Sequence, residues 1–152
     1  MIRITELKEE HIARVAGIDA AIFPANPWGA SAFADNISYC YDDAFAALQG
    51  EEPVGYALLR SVGDAEVLRI AVAPEARRAH IGSRMLEQMI EAARTRGMEQ
   101  IFLEVRASNE AARRMYAQAG FREIGVRRAY YSNPDEDAVL MKLELEREET
   151  AG

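Results

Sequence analysis

The chain is poor in the residues that usually announce a cofactor, a crosslink or a nucleophile. It has one cysteine, Cys40, so no internal disulfide can form. Between Tyr39 and Tyr41, that cysteine reads as a small buried apolar residue rather than an activated thiol. No Ser or Cys stands beside a base in the manner of a covalent catalyst. No His/Cys/Asp cluster has metal-ligand spacing, so no metal is expected. No apolar run approaches the ~18 residues a membrane span requires. The opening MIRITELKEE lacks the apolar core of a signal peptide. The expected location is therefore the cytosol. Lysine is scarce, occurring only at Lys8 and Lys142 among 18 basic residues. The formal charge of -7 argues against nucleic acid as partner. The same charge would draw a basic peptide, or serve only for solubility.

What is present suits one folded domain. The length is 152 residues, with 49% hydrophobic and 28% charged residues, enough to bury a single core. Residues 1–145 read as that domain and 146–152 as a charged tail. Strands are expected at Ile2–Glu6, Ala44–Leu48, Val54–Ser61, Ala65–Val72, Ile101–Val105, Arg122–Tyr131 and Ala138–Leu145. Helices are expected at Glu9–Ile22, at Ala30–Ile37, along the apolar stripe Ile81, Met85, Leu86, Met89, Ile90 and Ala93, and at Asn109–Ala119. Gly97 and Gly120 stop the last two. Ala73–Arg78 reads as a polar loop, and Ser132–Asp137 as the last connection. The order β-α-α-β-β-β-α-β-α-β-β describes a mixed sheet with helices on both faces.

Two stretches carry candidate chemistry. Leu103–Phe121 combines a strand, a polar turn, a short helix and a glycine stop, and bears Glu104, Asn109 and Tyr116. Glu104 faces away from Leu103 and Val105, so it can work as a base or pair with an arginine such as Arg106. Asn109 can cap the helix. Tyr116 can donate a proton or pack on Phe121. The second stretch, Arg77-Arg-Ala-His-Ile-Gly-Ser83, joins a strand to a helix. Unpaired N–H groups, Gly82, Ser83 and nearby arginines could cradle a pyrophosphate there, or form only a turn.

Together these motifs resemble the GNAT superfamily of acetyl-CoA-dependent N-acetyltransferases, over nearly the whole chain. Arg77-Arg-Ala-His-Ile-Gly82 is similar to its Q/R-x-x-G-x-G/A phosphate loop, with His80 in place of the first glycine. Leu103-Glu-Val-Arg-Ala-Ser-Asn109, Tyr116, Gly120-Phe121, Arg127-Arg-Ala-Tyr-Tyr131, Ala138-Val-Leu-Met141 and the Pro27-Trp28 pair resemble the RimI-type ribosomal-protein alanine N-acetyltransferases. The resemblance implies a central mixed seven-stranded sheet flanked by about four helices. It implies acetyl-CoA as cosubstrate, contacted by Ile70, Ala71 and Val72 and by Asn109. Its pyrophosphate would be held by Arg78, Ala79, His80, Ile81, Gly82 and Ser83.

The resemblance further implies Glu104 as proton acceptor, Tyr116 as acid for the departing thiolate, and a backbone N–H near Val72 for the oxyanion. Trp28, Tyr130 and Tyr131 would line the acceptor channel. The acceptor would be a protein N-terminus, with alanine of a ribosomal protein favoured and no nucleic acid or membrane partner. The acidic Asp135-Glu-Asp137 could attract basic residues of such a protein, or stay solvated. A small amine, a lysine side chain, or CoA binding without catalysis are the alternatives.

Overall fold

Residues 1–132 and 135–145 are described in the computed structural model, the side chains of Arg78 and Ala79 excepted. The proposed tail, 146–152, lies outside them. The strands are β1 (Ile2–Glu6), β2 (Asp42–Gln49), β3 (Glu52–Val62), β4 (Asp64–Val72), β5 (Gln100–Arg106), β6 (Arg122–Tyr131) and β7 (Glu136–Glu144). The helices are α1 (Ile12–Ile22), α2 (Ala30–Ser38), α3 (Ile81–Thr95) and α4 (Glu110–Gln118). The strands form one sheet in the order β1-β2-β3-β4-β5-β7-β6, antiparallel except where β4 meets β5. Among the described residues, no helix is long and apolar enough to cross a membrane.

The sheet separates two apolar clusters. On one face α1 and α2 bring Val15, Ile18 and Phe33 against Tyr56 and Leu58. On the other, the stripe of α3 expected from its spacing is buried throughout and packs with Tyr116 and Phe121. Each fully buried large apolar side chain contributes about 1.5–3 kcal/mol, so both faces are firmly held.

The decisive feature lies in the middle of the sheet. β4 and β5 pair only at Ala65↔Ile101 and Glu66↔Phe102. Beyond that point the two strands part, β4 remaining with β3 and β5 with β7. A bulge helps them separate. Leu59 pairs with Val67 and Leu58 with Arg69, so Leu68 has no partner. An extra residue bends a strand and shifts its alternation. Ala65 and Val67 pack toward α3, but beyond the bulge Ile70 and Val72 do so instead, while Leu68, Ala71 and Ala73 join the α1–α2 cluster.

Several boundaries differ from expectation. The Ala73–Arg78 loop is largely a 3₁₀ segment, Pro74–Ala79. The first helix begins only at Ile12, after a 3₁₀ turn at Glu9–His11, because the Lys8 N–H donates to His11 Nδ1 at 3.0 Å and tightens the entry. β7 starts at Glu136, where the expected connection would still run, because Glu136 pairs with Tyr131. Cys40 is exposed rather than buried. It sits in the turn after α2, where Tyr39 and Tyr41 close edge-on with centroids 5.5 Å apart.

Candidate active site

The parted strands form a cleft whose walls differ. On the β4 side, Ala73 N–H donates to Val54 O at 2.8 Å. Backbone direction alternates along a strand, so the N–H and C=O of Val72 point away from β3, toward the gap. That carbonyl accepts Arg77 Nε at 3.1 Å. Ile70 and Val72 are half-buried along this edge, and Ala71 is turned into the α1–α2 core.

Arg69 projects from the same strand and organises the neighbouring loop. Its Nη1 donates to Asp19 Oδ1 at 3.0 Å and to Asn26 O at 3.1 Å. Its guanidinium lies between Phe23 and Trp28, at 4.2 and 4.3 Å from their ring centroids. Asp19 is fully buried and also accepts from the Tyr56 hydroxyl and the Trp28 N–H. Burial first, then the hydrogen bond to Asp19, pushes the Tyr56 phenol far above its ordinary range. Trp28 meets Phe33 edge-on at 5.8 Å. It therefore belongs partly to the α1–α2 core while remaining half-buried at the lip.

Asp19, Tyr56 and Arg69 escaped the sequence reading. A signal for Asp19 existed. It lies four residues after Val15, on the apolar stripe of α1, where a carboxylate needs partners. Arg69 gave none, because the bulge at Leu68 decides its face.

On the β5 side, Glu104 pairs across with Leu140 of β7, while Leu103 and Val105 are buried beneath. Its side chain is 24% exposed. Among the described residues, the arginine ion-paired to it is Arg127 of β6, with Nε at 3.6 Å. Arg106 instead reaches Glu136 at 3.5 Å and lies 4.4 Å from the Tyr131 ring centroid. The Glu104 carboxylate raises the pKa of the Tyr130 phenol. Tyr130 and Tyr131 meet edge-on at 5.0 Å. Burial, then the charge of Glu104, pushes Tyr131 up to about 12.

Tyr116 approaches from the opposite face. It is three residues from the end of α4, which closes in a Schellman motif: Phe121 N–H donates to Tyr116 O at 3.0 Å and Gly120 N–H to Ala117 O at 3.0 Å. Gly120 has φ 107°, a conformation side chains resist. The motif's apolar contact is the Tyr116–Phe121 ring pair at 5.6 Å. Burial first, then Tyr131, pushes the Tyr116 phenol well above its ordinary range. It therefore keeps its proton at neutral pH. At the other end of α4, Asn109 Oδ1 accepts Ala112 N–H at 3.1 Å, a true N-cap.

At the start of α3, His80 is exposed and left-handed (φ 53°, ψ 31°), and no side chain caps the helix. The first N–H groups, at Ile81, Gly82 and Ser83, lie beyond the reach of the helical ladder. A Cβ on Gly82 would come within 2.9 Å of Met115 Sδ, so close packing of α3 on α4 also accounts for this glycine. The side chains of Arg78 and Ala79 lie outside the described residues. The acidic connection is spoken for in part. Glu136 accepts the Ser108 N–H and pairs with Arg106, and the Ser108 hydrogen bonds hold its carboxyl below the usual range. Asp137 accepts the Ala129 N–H at 2.8 Å. Only Asp135 is left fully exposed among these three.

The parted strands thus lie near an uncapped helix start, a partly exposed carboxylate and a buried phenol. Residues 12–121 match the acetyltransferase (GNAT) family, and the chain belongs to that family. It is 38% identical over 124 residues to the [ribosomal protein bS18]-alanine N-acetyltransferase of Escherichia coli K12, spanning 80% of this chain and 83% of that protein. It is 32% identical over 147 residues to the N-alpha-acetyltransferase RimI of Mycobacterium tuberculosis, spanning 93% and 91%. The crystal structure of the ribosomal-protein-S18-alanine N-acetyltransferase from Escherichia coli matches with a TM-score of 0.84 at 33% identity, over 95% and 94% of the two chains. The chain is therefore an acyltransferase of a family whose acetyl donor is acetyl-CoA. The uncapped start of α3 and the outward-facing Val72 amide fit such a donor.

Proposed function

We propose that this enzyme acetylates the N-terminal α-amine of a protein, with alanine-first ribosomal protein as the favoured acceptor, in the cytosol. The observation that carries the reading is Glu104, partly exposed on a β5 edge that has left its neighbour and paired with Arg127. The relatives named for alanine N-acetylation support the acceptor class.

Acetyl-CoA supplies an activated acetyl thioester when bound. The N–H groups of Ile81, Gly82 and Ser83, with His80 and the flanking Arg78 and Ala79, hold its pyrophosphate. Ile70, Ala71 and Val72 align it along β4, and Asn109 approaches it from the α4 cap. A peptide α-amine has a pKa of about 7.7–8.0, so a large share arrives protonated at neutral pH. Glu104 accepts that proton. The freed nitrogen lone pair forms the new C–N bond, the C–S bond breaks as Tyr116 gives its proton to the departing sulfur, and the second proton the nitrogen sheds as it becomes an amide restores the Tyr116 phenol. The Val72 N–H is aimed to donate to the carbonyl oxygen as it gains charge. Trp28 on one lip and Tyr130 and Tyr131 on the other confine the peptide.

The test is CoA release with three peptides: one with a free N-terminal Ala and basic residues, the same peptide blocked, and the blocked peptide with an added Lys. Turnover with the free peptide alone is expected. Turnover only with the Lys peptide would transfer the assignment to side-chain amines. No turnover despite acetyl-CoA binding would end the peptide assignment.

A further inference from the structure

The last strand pair contains an irregularity that the proposed chemistry does not by itself require. On β6, Arg127 pairs with Ala138 and Tyr131 with Glu136, so Arg128, Ala129 and Tyr130 together face the single residue Asp137. Ala129 has φ 52°. A left-handed alanine costs roughly 1–2 kcal/mol, and such strain persists only where something holds it. Little apolar packing is available, since Ala129 is exposed and Tyr130 is 49% exposed. What holds it is polar. Asp137 Oδ1 accepts the Ala129 N–H at 2.8 Å. Asp137 is itself fixed at the cleft, because its carbonyl accepts the Ala107 N–H, at the turn leading from β5 to α4, at 3.1 Å.

The residues on either side of Ala129 converge on Glu104. Arg127 forms its ion pair, and the Tyr130 ring lies 5.5 Å from that guanidinium, where the Glu104 carboxylate raises the phenol's pKa. A regular hairpin would alternate residues 127–131 across the sheet and could not turn both toward one carboxylate by this route. We propose that Asp137 is a positioning residue whose carboxylate holds Ala129 left-handed and thereby sets the Tyr130 ring against the Arg127–Glu104 pair, fixing the acceptor side of the cleft. This rests on the reading of Glu104 as the proton acceptor. Asp137 touches neither substrate nor cofactor. It acts through one backbone N–H.

The test uses the full chain and two readouts. One is the titration of the Tyr130 hydroxyl, followed by ¹³C NMR with ring-labelled tyrosine and assigned with Tyr130→Phe. The other is kcat/KM for the free-Ala peptide, alongside acetyl-CoA affinity. With Asp137→Ala, the Tyr130 midpoint falls toward that of an ordinary phenol. kcat/KM then drops on the order of tenfold and acetyl-CoA binding is retained. Asp137→Asn keeps an acceptor oxygen and recovers most of the loss. Asp137→Ala combined with Ala129→Gly also recovers it, because glycine adopts the conformation unaided. An unmoved Tyr130 midpoint in Asp137→Ala would overturn the proposal. So would failure of Ala129→Gly to rescue. If the wild-type chain turns over no peptide amine while the Tyr130 midpoint still follows Asp137, the acceptor reading fails and the positioning role stands.

Discussion

The two walls of the cleft are built on opposite plans. The β4 wall is sealed: Asp19 is fully buried, Arg69 has 12% of its side chain exposed, and Tyr56 and Trp28 close around them. The β5–β7–β6 wall is open: β6 is exposed along most of its length, and Arg127, 58% exposed, meets a Glu104 that is 24% exposed. The same kind of pair, an arginine on a carboxylate, therefore does different work. In the interior it locks a loop in place, because a buried charge without its partner is costly. At the surface it contributes little to stability but orients a carboxylate open to solvent, the one proposed as base. Rigidity on one side lets the other present that carboxylate without depending on a deep core.

The comparison can be broken most sharply at the open wall. Glu104→Gln is expected to lower kcat about 10²- to 10⁴-fold while acetyl-CoA affinity, measured by calorimetry, stays put. An unchanged kcat would remove Glu104 as base. At the sealed wall, Arg69→Met leaves Asp19 buried with fewer partners. The expected loss is about 3 kcal/mol in urea unfolding, and loosening of the Phe23–Trp28 lip should raise KM for peptide more than it lowers kcat.

A third effect joins both walls. Tyr56 and Tyr116 are held protonated by burial, so their folded pKa values exceed the unfolded value near 10. Above that pH the unfolded chain gives up these protons and the folded chain keeps them. Stability is thus fully present below about pH 10 and falls above it, by about 1.4 kcal/mol per pH unit for each such tyrosine. Tyr56→Phe should flatten that alkaline slope in denaturant titrations across pH 9–11 (roughly the range around an ordinary phenol pKa). The smallest expected effect is the counterpart of the Arg69 substitution. Arg127→Met should cost no more than about 1 kcal/mol in stability and be felt mainly in peptide turnover. If Arg127→Met and Arg69→Met destabilise equally, the contrast between the walls is wrong.

Local sequence was enough for much of this protein. The buried stripe of α3, the glycine stops at Gly97 and Gly120, the Asn109 cap and the outward face of Glu104 follow from spacing that a helix or a strand reads within a few residues. Among the described residues seven strands and four helices stand in the expected order, while the family was legible only through motifs that resemble it. The partners of the site were not. Arg69 reaches Asp19 across 50 positions and Tyr56 reaches it across 37. Which way Arg69 faces depends on one extra residue in β4, and which way Tyr130 faces depends on a bulge whose alanine no turn propensity would choose. The acidic 135–137 stretch could be read as an attractant for basic residues or as a solvated loop, yet two of its carboxylates accept the Ser108 and Ala129 backbone N–H groups. Periodicity is a property of neighbours along the chain, so the sequence by itself determined the elements and which of their faces are apolar. Register, bulges and long-range ion pairs arise from the balance between burial and strain across the whole sheet. Only the tertiary structure decided where β4 leaves β5, which arginine serves each carboxylate, and how Tyr130 comes to lie beside Arg127.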